Sequence, residues 1–139
     1  DLRAQVVRTE SRDTGDATGL TAARVVVGGG RGAGGPDGFG GVEALAARLG
    51  GAVGVSRVVT SLGWRPHHEQ VGQTGSRIAP DLYIACGISG AIQHWAGCAS
   101  SKTIIAVNTD PEAAIFAVAH YGARADVFDV AEELEKLFP

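Results

Sequence analysis

Residues 86–94, with the sequence CGISGAIQH, combine glycine and polar side chains in a way that suits nucleotide binding. Gly87 and Gly90 allow a ligand close approach to the backbone. A helix starting there would offer unpaired N–H groups to the negative charge of a diphosphate. Gln93 and His94, one turn further on, would point toward the same cleft. Without other context, a core or surface histidine is the more common interpretation of His94.

A second glycine-rich stretch, GGGRGAGG at residues 28–35, contains the pattern GxGxxG of dinucleotide-binding loops. That pattern also needs an acid about 20 residues further on to hold the ribose. Ser56 and Arg57 follow the second predicted strand instead, which disfavours NAD but is compatible with the 2′-phosphate of NADP. A flexible surface loop is the alternative interpretation of this stretch.

A third segment, VGQTG at residues 71–75, places Gln73 and Thr74 within a region that has no clear helical or strand period. These two polar side chains could face a ligand. By itself, the pattern is more typical of a solvated turn.

The elements that must position these segments follow from the apolar pattern. Short apolar, β-branched runs predict strands at residues 23–28, 52–55, 81–86, 102–108 and 125–130. Helices are predicted at residues 40–49, 57–63, 90–97, 111–121 and 131–138. The fourth has clear boundary signals: Asp110 is its N-cap, Pro111 and Glu112 lie in its first turn, and Gly122 ends it. Residues 64–76 have no clear assignment.

This alternation predicts an α/β fold, namely a Rossmann-like three-layer domain with a parallel sheet covered by helices on both faces. In such sheets ligands bind outside the carboxyl ends of the strands. The three glycine-containing segments follow predicted strands or lie between them, so they are expected at that edge.

Composition excludes several classes of function. The net charge is −3 and no basic cluster contains interleaved aromatic residues, which argues against a nucleic-acid partner. No apolar run approaches the ~20 residues of a membrane span, so no membrane insertion is expected. Cys86 and Cys98 lack the spacing of a metal site, and two free thiols suit a reducing compartment.

The 139 residues contain no methionine, from which we expect a piece of a longer protein. Residues 1–22 are then expected to be a linker or segment from a preceding domain. Residues 23–139 are expected to form one ligand-binding domain.

Taken together, the segments resemble the FAD-binding domain of the electron transfer flavoprotein alpha subunit. The resemblance rests most on LYIACGISGAIQHWAG at residues 82–97 and KTIIAVNTDPEAAIFAVAHYG at 102–122. Supporting motifs occur in the expected order: VVVGGGRG at 25–32, GVSR at 54–57 and VGQTGSRIAPDLYIA at 71–85.

The resemblance implies FAD as cofactor, with Arg57 beside the isoalloxazine ring, Thr74 near its N5 and His94 near the pyrimidine carbonyl. It implies no catalytic residue and no metal. The positions implied to bind the cofactor are Arg31, Ser56, Arg57, Val71, Gly72, Gln73, Thr74, Ser89, Gly90, Ala91, Ile92, Gln93, His94, Asn108, Asp126 and Val127.

The resemblance further implies an electron carrier rather than an enzyme. A beta subunit would complete the heterodimer. Electrons would pass from flavoprotein dehydrogenases, such as acyl-CoA dehydrogenases, to a quinone oxidoreductase. The expected location is the bacterial cytoplasm, or the mitochondrial matrix if the source is eukaryotic. Two alternatives are an NADP-binding domain of a dehydrogenase or transhydrogenase, with Arg57 on the 2′-phosphate, and a nucleotide-binding interaction domain.

Overall fold

A computed structural model describes residues 18–124 of the chain. At the centre of this range is one five-stranded sheet in which all neighbouring strands are parallel, in the order β2-β1-β3-β4-β5. The strands are β1 (Val25–Gly29), β2 (Ala52–Val55), β3 (Leu82–Cys86), β4 (Thr103–Asn108) and β5 (Tyr121–Arg124). The α/β fold with a parallel sheet is thereby confirmed.

Short helices connect the strands. In the described range they are α1 (Thr18–Ala22), α2 (Gly40–Arg48), α3 (Arg57–Ser61), α4 (Ile92–Cys98) and α5 (Ile115–Val118). Turns of 3₁₀-helix occupy Arg31–Ala33, Pro36–Phe39 and His67–Glu69. The predicted helices at 40–49, 57–63 and 90–97 are confirmed to within about two residues at each end, which is the usual uncertainty of a helix boundary.

Alternate strand residues point to opposite faces of the sheet, and both faces are buried. One face forms a first core, in which strand residues pack with Leu20 of α1, Cys98 of α4 and Ile115 of α5. The opposite face forms a second core, in which strand residues pack with Val42 of α2 and Val59 of α3. The strand residues of the first core include Val26, Tyr83, Ala85, Ile104 and Ala106, and those of the second include Val27, Ile84, Cys86 and Val107.

The predicted helix at residues 111–121 is wrong over most of its length. Asp110 starts a single turn, in which its carboxylate accepts a hydrogen bond from the Glu112 N–H at 2.9 Å. The α-helix after this turn is α5 alone, and Gly122 lies within β5 rather than after a helix. The predicted strand at 125–130 and helix at 131–138 lie outside the described residues.

The boundary predicted between residues 22 and 23 remains a prediction. Part of the segment before it contributes to the domain, because Thr18–Ala22 is helical and Leu20 is buried in the first core. Across residues 18–124, no helix has the length and apolar character needed to cross a membrane.

The two cysteines of the chain are free and buried. Cys86 ends β3, whereas Cys98 is the last residue of α4 rather than part of a loop. Burial raises the pKa of the Cys86 thiol to about 12 and that of the Cys98 thiol to about 11. Both sulfurs are therefore protonated at neutral pH.

Candidate functional site

A cleft of about 580 Å³ opens beyond the carboxyl ends of β1 and β3. Strand β1 pairs with β2 on one side and with β3 on the other. The chain runs from β1 outward to β2 and then continues on the other side of β1 through β3, so the strand order reverses between β1 and β3. Open parallel sheets bind ligands at such a point. The walls of the cleft come from five segments: residues 31–32, 56–58, 70–74, 87–94 and 108–113.

The structure brings most of the predicted site residues together at this cleft. Those that line it are Arg31, Ser56, Arg57, Val71, Gly72, Gln73, Thr74, Ser89, Gly90, Ala91, Gln93, His94 and Asn108. Ile92 does not line the cleft, and its side chain is 76% exposed. Asp126 and Val127 lie outside the described residues.

The two glycine-containing loops after β1 and β3 support each other at the floor of the cleft. Gly30 N–H donates to the Cys86 carbonyl and Gly32 N–H to the Gly87 carbonyl, both at 3.0 Å. Gly87 has a φ of +66°, and a Cβ there would lie 2.8 Å from the Gly32 Cα. Only glycine at these positions allows the loops to approach so closely.

The irregular segment at residues 70–76 is fastened to helix α4. The Gln73 N–H donates to the Gln93 carbonyl at 2.8 Å, and just beyond the segment the Ile78 N–H donates to the Gly97 carbonyl at 2.7 Å. Gly97 makes this packing possible, because a Cβ there would lie 2.3 Å from the Gly72 nitrogen. Two walls of the cleft are thus joined through backbone contacts.

His94 extends from α4 into the first core. Its Nε2 lies 2.6 Å from the Tyr83 hydroxyl oxygen, and the two rings are stacked with centroids 5.9 Å apart. Burial lowers the pKa of His94 to about 4, with the Val71 backbone opposing the shift, so the imidazole is neutral at pH 7. Its Nδ1 is buried and forms no hydrogen bond of normal geometry within the described residues.

The sequence of the chain matches a known family. A family model described as "Electron transfer flavoprotein FAD-binding domain" matches residues 19–99, more than half of the chain. The chain belongs to this family. The resemblance inferred from the sequence motifs is therefore confirmed.

Individual relatives of this electron transfer flavoprotein domain extend the match to almost the whole chain. The protein named electron transfer flavoprotein subunit alpha from Thermoanaerobacterium thermosaccharolyticum is 48% identical over 99% of the chain and 42% of its own length. Its counterparts are 57% identical in Pseudomonas aeruginosa, over 87% of the chain and 39% of that protein, and 47% identical in Bacillus subtilis, over 99% and 42%. The chain therefore spans about two-fifths of these relatives.

Charges at the cleft of this electron transfer flavoprotein domain are mainly positive. Arg31 and Arg57 are exposed at its edge, and within residues 18–124 neither guanidinium has a carboxylate partner. Of the residues described, Asp110 is the acidic one that lines the cleft, and one of its oxygens already accepts from the Glu112 N–H. His94 adds no charge, so the cleft favours an anion.

Several donors at the cleft are unused. In the described part of the domain, the buried Ser56 hydroxyl has no hydrogen-bond partner. The N–H groups of residues 89–91 likewise donate to no other group between residues 18 and 124. A buried hydroxyl is normally paired, so the unpaired Ser56 hydroxyl beside these free N–H groups indicates a ligand site.

Asn108 has a structural role at the cleft. Its side-chain amide donates to the Ile88 carbonyl at 3.0 Å, and its Oδ1 accepts from the Asp110 N–H at 3.0 Å. Asn108 thus ties the loop after β3 to the turn after β4.

Some lining residues were not among the predicted site residues. They are Gly32, Val58, Gln70, Gly87, Ile88, Asp110 and Ala113. The glycines could have been included, because the glycine pattern already pointed to the loops that contain them. No local pattern points to Gln70, whose place depends on tertiary burial.

Proposed function

We propose that this cleft binds FAD and that the chain is the cofactor-holding part of an electron transfer flavoprotein alpha subunit. The observation that carries the proposal is the meeting of unpaired donors, free arginines and closely packed glycine loops at the strand-order switch, all within residues 18–124. Family membership supports the same cofactor, because the matching family model is described as FAD-binding.

The cleft suits a dinucleotide in size and charge. Its volume of about 580 Å³ lies within the roughly 300–1,000 Å³ of small-molecule sites. The diphosphate of FAD is an anion that the N–H groups of residues 89–91 and a nearby guanidinium would stabilise. The close approach of Gly32 to Gly87 leaves backbone rather than side chains on this wall, which allows a ligand to lie against it.

The side chains around the remaining walls would orient the ring system. Thr74 and His94 present a hydroxyl and an uncharged imidazole, so they can form hydrogen bonds without adding charge. Arg57 adds a fixed positive charge, which would favour electron-rich states of a nearby ligand. FAD itself supplies the chemistry when bound, namely the reversible uptake and release of electrons.

We further propose that the domain serves as an electron carrier, with no substrate turnover of its own. A beta subunit would cover the exposed side of the cofactor. Flavoprotein dehydrogenases would be the donors and a quinone oxidoreductase the acceptor. The beta subunit is suggested by the alpha-subunit names of the relatives, whereas the donors and the acceptor are those that the family resemblance implies.

A titration of the purified chain with FAD, followed by visible absorbance and flavin fluorescence, tests the cofactor assignment. FMN, NADP and AMP are the controls. We expect saturable FAD binding, weaker FMN binding because FMN lacks the adenosine half, and no displacement of FAD by NADP. Displacement by NADP, or binding of AMP but not FAD, would favour the nucleotide-binding alternatives.

If the chain alone does not bind FAD, the titration is repeated after addition of a beta subunit and of the remaining part of an alpha subunit. Binding only in that assembly would show that the missing parts complete the cleft. Failure of the assembly to bind FAD would overturn the proposed function.

A further inference from the structure

Three polar side chains form a connected series beneath the cleft. The Thr60 hydroxyl forms a hydrogen bond with Gln70 Oε1, and Gln70 Nε2 donates to Thr74 Oγ1 at 2.8 Å. Gln70 is 3% exposed, whereas Thr74 is exposed and lines the cleft. The series therefore runs from α3, through a buried amide, to a hydroxyl at the ligand site.

Both hydroxyls of this series depend on the Gln70 amide. The Thr60 hydroxyl lies within hydrogen-bond distance of Gln70 and also of the Arg57 carbonyl, the latter at 3.0 Å, and its single proton serves one acceptor at a time. Among residues 18–124, the Thr74 hydroxyl has its hydrogen bond to the Gln70 amide alone. The amide therefore restricts the orientation of the Thr74 hydroxyl at the wall of the cleft.

The main chain holds Gln70 in place independently of this series. Its N–H donates to the His67 carbonyl at 2.9 Å, and its carbonyl accepts from the Ser76 N–H at 2.7 Å. A parallel bridge also pairs Gln70 with Val55, the last residue of β2. The backbone of Gln70 is thus fixed relative to β2, which restricts the positions that its side-chain amide can reach beside Thr74.

We propose that Gln70 is a positioning residue that holds the Thr74 hydroxyl in place for a hydrogen bond with the ligand in the cleft. The inference rests on the proposed function, because the ligand is taken to be FAD. The isoalloxazine ring carries hydrogen-bond acceptors and an N–H donor, so a hydroxyl held at a fixed position can pair with it. Because Gln70 also lines the cleft, the test must separate a direct contact with the ligand from an effect that acts through Thr74.

A double-mutant cycle on FAD binding tests this role. Gln70→Met keeps an unbranched side chain of similar length, and Thr60 retains the Arg57 carbonyl as an acceptor at 3.0 Å. Thr74→Val removes the hydroxyl with little change of shape. We expect each single variant to weaken FAD binding by about twofold to tenfold, the worth of one hydrogen bond. The double variant should bind no more weakly than Thr74→Val alone.

The visible absorption spectrum of the bound FAD provides a second readout that does not depend on affinity. Gln70→Met and Thr74→Val should shift the flavin bands in the same direction. Thr60→Val removes the hydroxyl at the other end of the series and should shift the flavin bands less, in the same direction. Thr103→Val, at the opposite edge of the sheet, is the matched control and should leave both the dissociation constant and the spectrum unchanged.

The outcomes separate this inference from the proposed function. If the unaltered chain and its assembled form do not bind FAD, the proposed function is overturned and the inference with it. If FAD binds but Gln70→Met has the same effect with and without the Thr74 hydroxyl, the inference alone is overturned. Should Gln70→Met fail to fold, Thr60→Val decides: a spectrum identical to that of Thr103→Val would contradict the positioning role.

Discussion

The Tyr83 hydroxyl oxygen lies 2.6 Å from His94 Nε2, and both side chains are buried. Burial raises the pKa of Tyr83 well above 10 and lowers that of His94 to about 4, so a neutral phenol meets a neutral imidazole. The phenol then donates and Nε2 accepts, which leaves the imidazole proton on Nδ1. Gly28 makes room for this contact, because a Cβ there would lie 2.3 Å from the Tyr83 hydroxyl.

Replacing the phenol should therefore destabilise the domain. In Tyr83→Phe the ring remains, but Nε2 of His94 is left buried without a donor, which costs about 1–3 kcal/mol. Urea denaturation followed by circular dichroism measures the change in the free energy of unfolding. Tyr121→Phe, at a side chain that is 67% exposed, is the control and should change stability by less than about 0.5 kcal/mol. Equal stability of the two variants would contradict the role assigned to the buried contact.

His94 should also make stability depend on pH. Below pH 6.5 the unfolded histidine takes up a proton, whereas the folded one does so only near its pKa of about 4. The unfolded state binds more protons in this window, so stability falls as the pH drops from about 6.5 to about 4 and is unaffected by this group above it.

The comparison of the unaltered chain with His94→Gln isolates this contribution, since other titrating groups contribute to both. Between pH 7.5 and pH 5 the unaltered chain should lose about 2 kcal/mol more of its unfolding free energy than the variant, because each unit of pKa shift corresponds to about 1.4 kcal/mol. Parallel pH profiles would show that His94 is not buried in its neutral form.

Ser56 should matter for the ligand but not for the empty fold. Among residues 18–124 its buried hydroxyl has no partner, so Ser56→Ala removes a desolvated group and should leave the unfolding free energy within about 0.5 kcal/mol or raise it. FAD binding should weaken by about twofold to tenfold.

Ser101 offers a matched control for this prediction. It carries another buried hydroxyl that is unpaired in the described part of the chain, and it does not line the cleft. Ser101→Ala should resemble Ser56→Ala in unfolding experiments and bind FAD like the unaltered chain. A loss of FAD affinity of the same size in both variants would argue against a direct role for Ser56.

Gly90 should tolerate no side chain. Its φ of +87° belongs to the left-handed region, and a Cβ would lie 2.5 Å from the Ile115 nitrogen. Gly90→Ala should cost more than about 2 kcal/mol, through strained backbone and steric overlap together. Gly40 begins α2 with a φ of −55°, and a Cβ there would have open space.

Gly40→Ala should therefore stabilise the domain by about 0.5–1 kcal/mol, because alanine favours a helix. Thermal unfolding of both variants is sufficient to measure the difference. A melting temperature for Gly90→Ala at or above that of the unaltered chain would mean that the loop after β3 adopts another conformation.

The strands can be predicted because a parallel sheet buried on both faces needs continuous apolar segments. The predicted strand at residues 81–86 corresponds to Leu82–Cys86, and the one at 52–55 matches without change. The glycine segments can be placed at the carboxyl edge for a topological reason, since all parallel strands end at the same edge of the sheet.

The segment from Asp110 to Gly122 shows where local rules fail. The Asp110 carboxylate accepts from the Glu112 N–H, but this turn is not the cap of the predicted helix, because α5 begins only at Ile115. Long-range hydrogen bonds determine the conformation of the residues after the turn. The Ile115 N–H donates to the Ser89 carbonyl at 2.9 Å, and the His120 N–H donates to the Ile104 carbonyl at 2.9 Å. His120 Nδ1 also accepts from the Ile104 N–H. These contacts hold the residues after α5 beside β4, so the chain continues as β5 and not as a longer helix.

The same limit applies to the candidate site. Sequence motifs predict Thr74 and His94 because both lie in specific short patterns. They do not predict the roles of Gln70 and Tyr83, which contact those two groups, although both lie in or next to the quoted segments. Each of these two residues acts through burial, which a local pattern does not show. Predicting which side chains support a site requires the tertiary structure that brings them together.

The buried thiols make the chain suitable for labelling at a chosen position. With pKa values of about 12 and 11, about one in 10,000 or fewer of the two thiols carry the reactive thiolate at pH 7. A maleimide dye should therefore ignore both native cysteines. A cysteine introduced at Ile92, which is 76% exposed at the start of α4, would take up the dye beside the cleft without lining it and could report ligand entry by fluorescence.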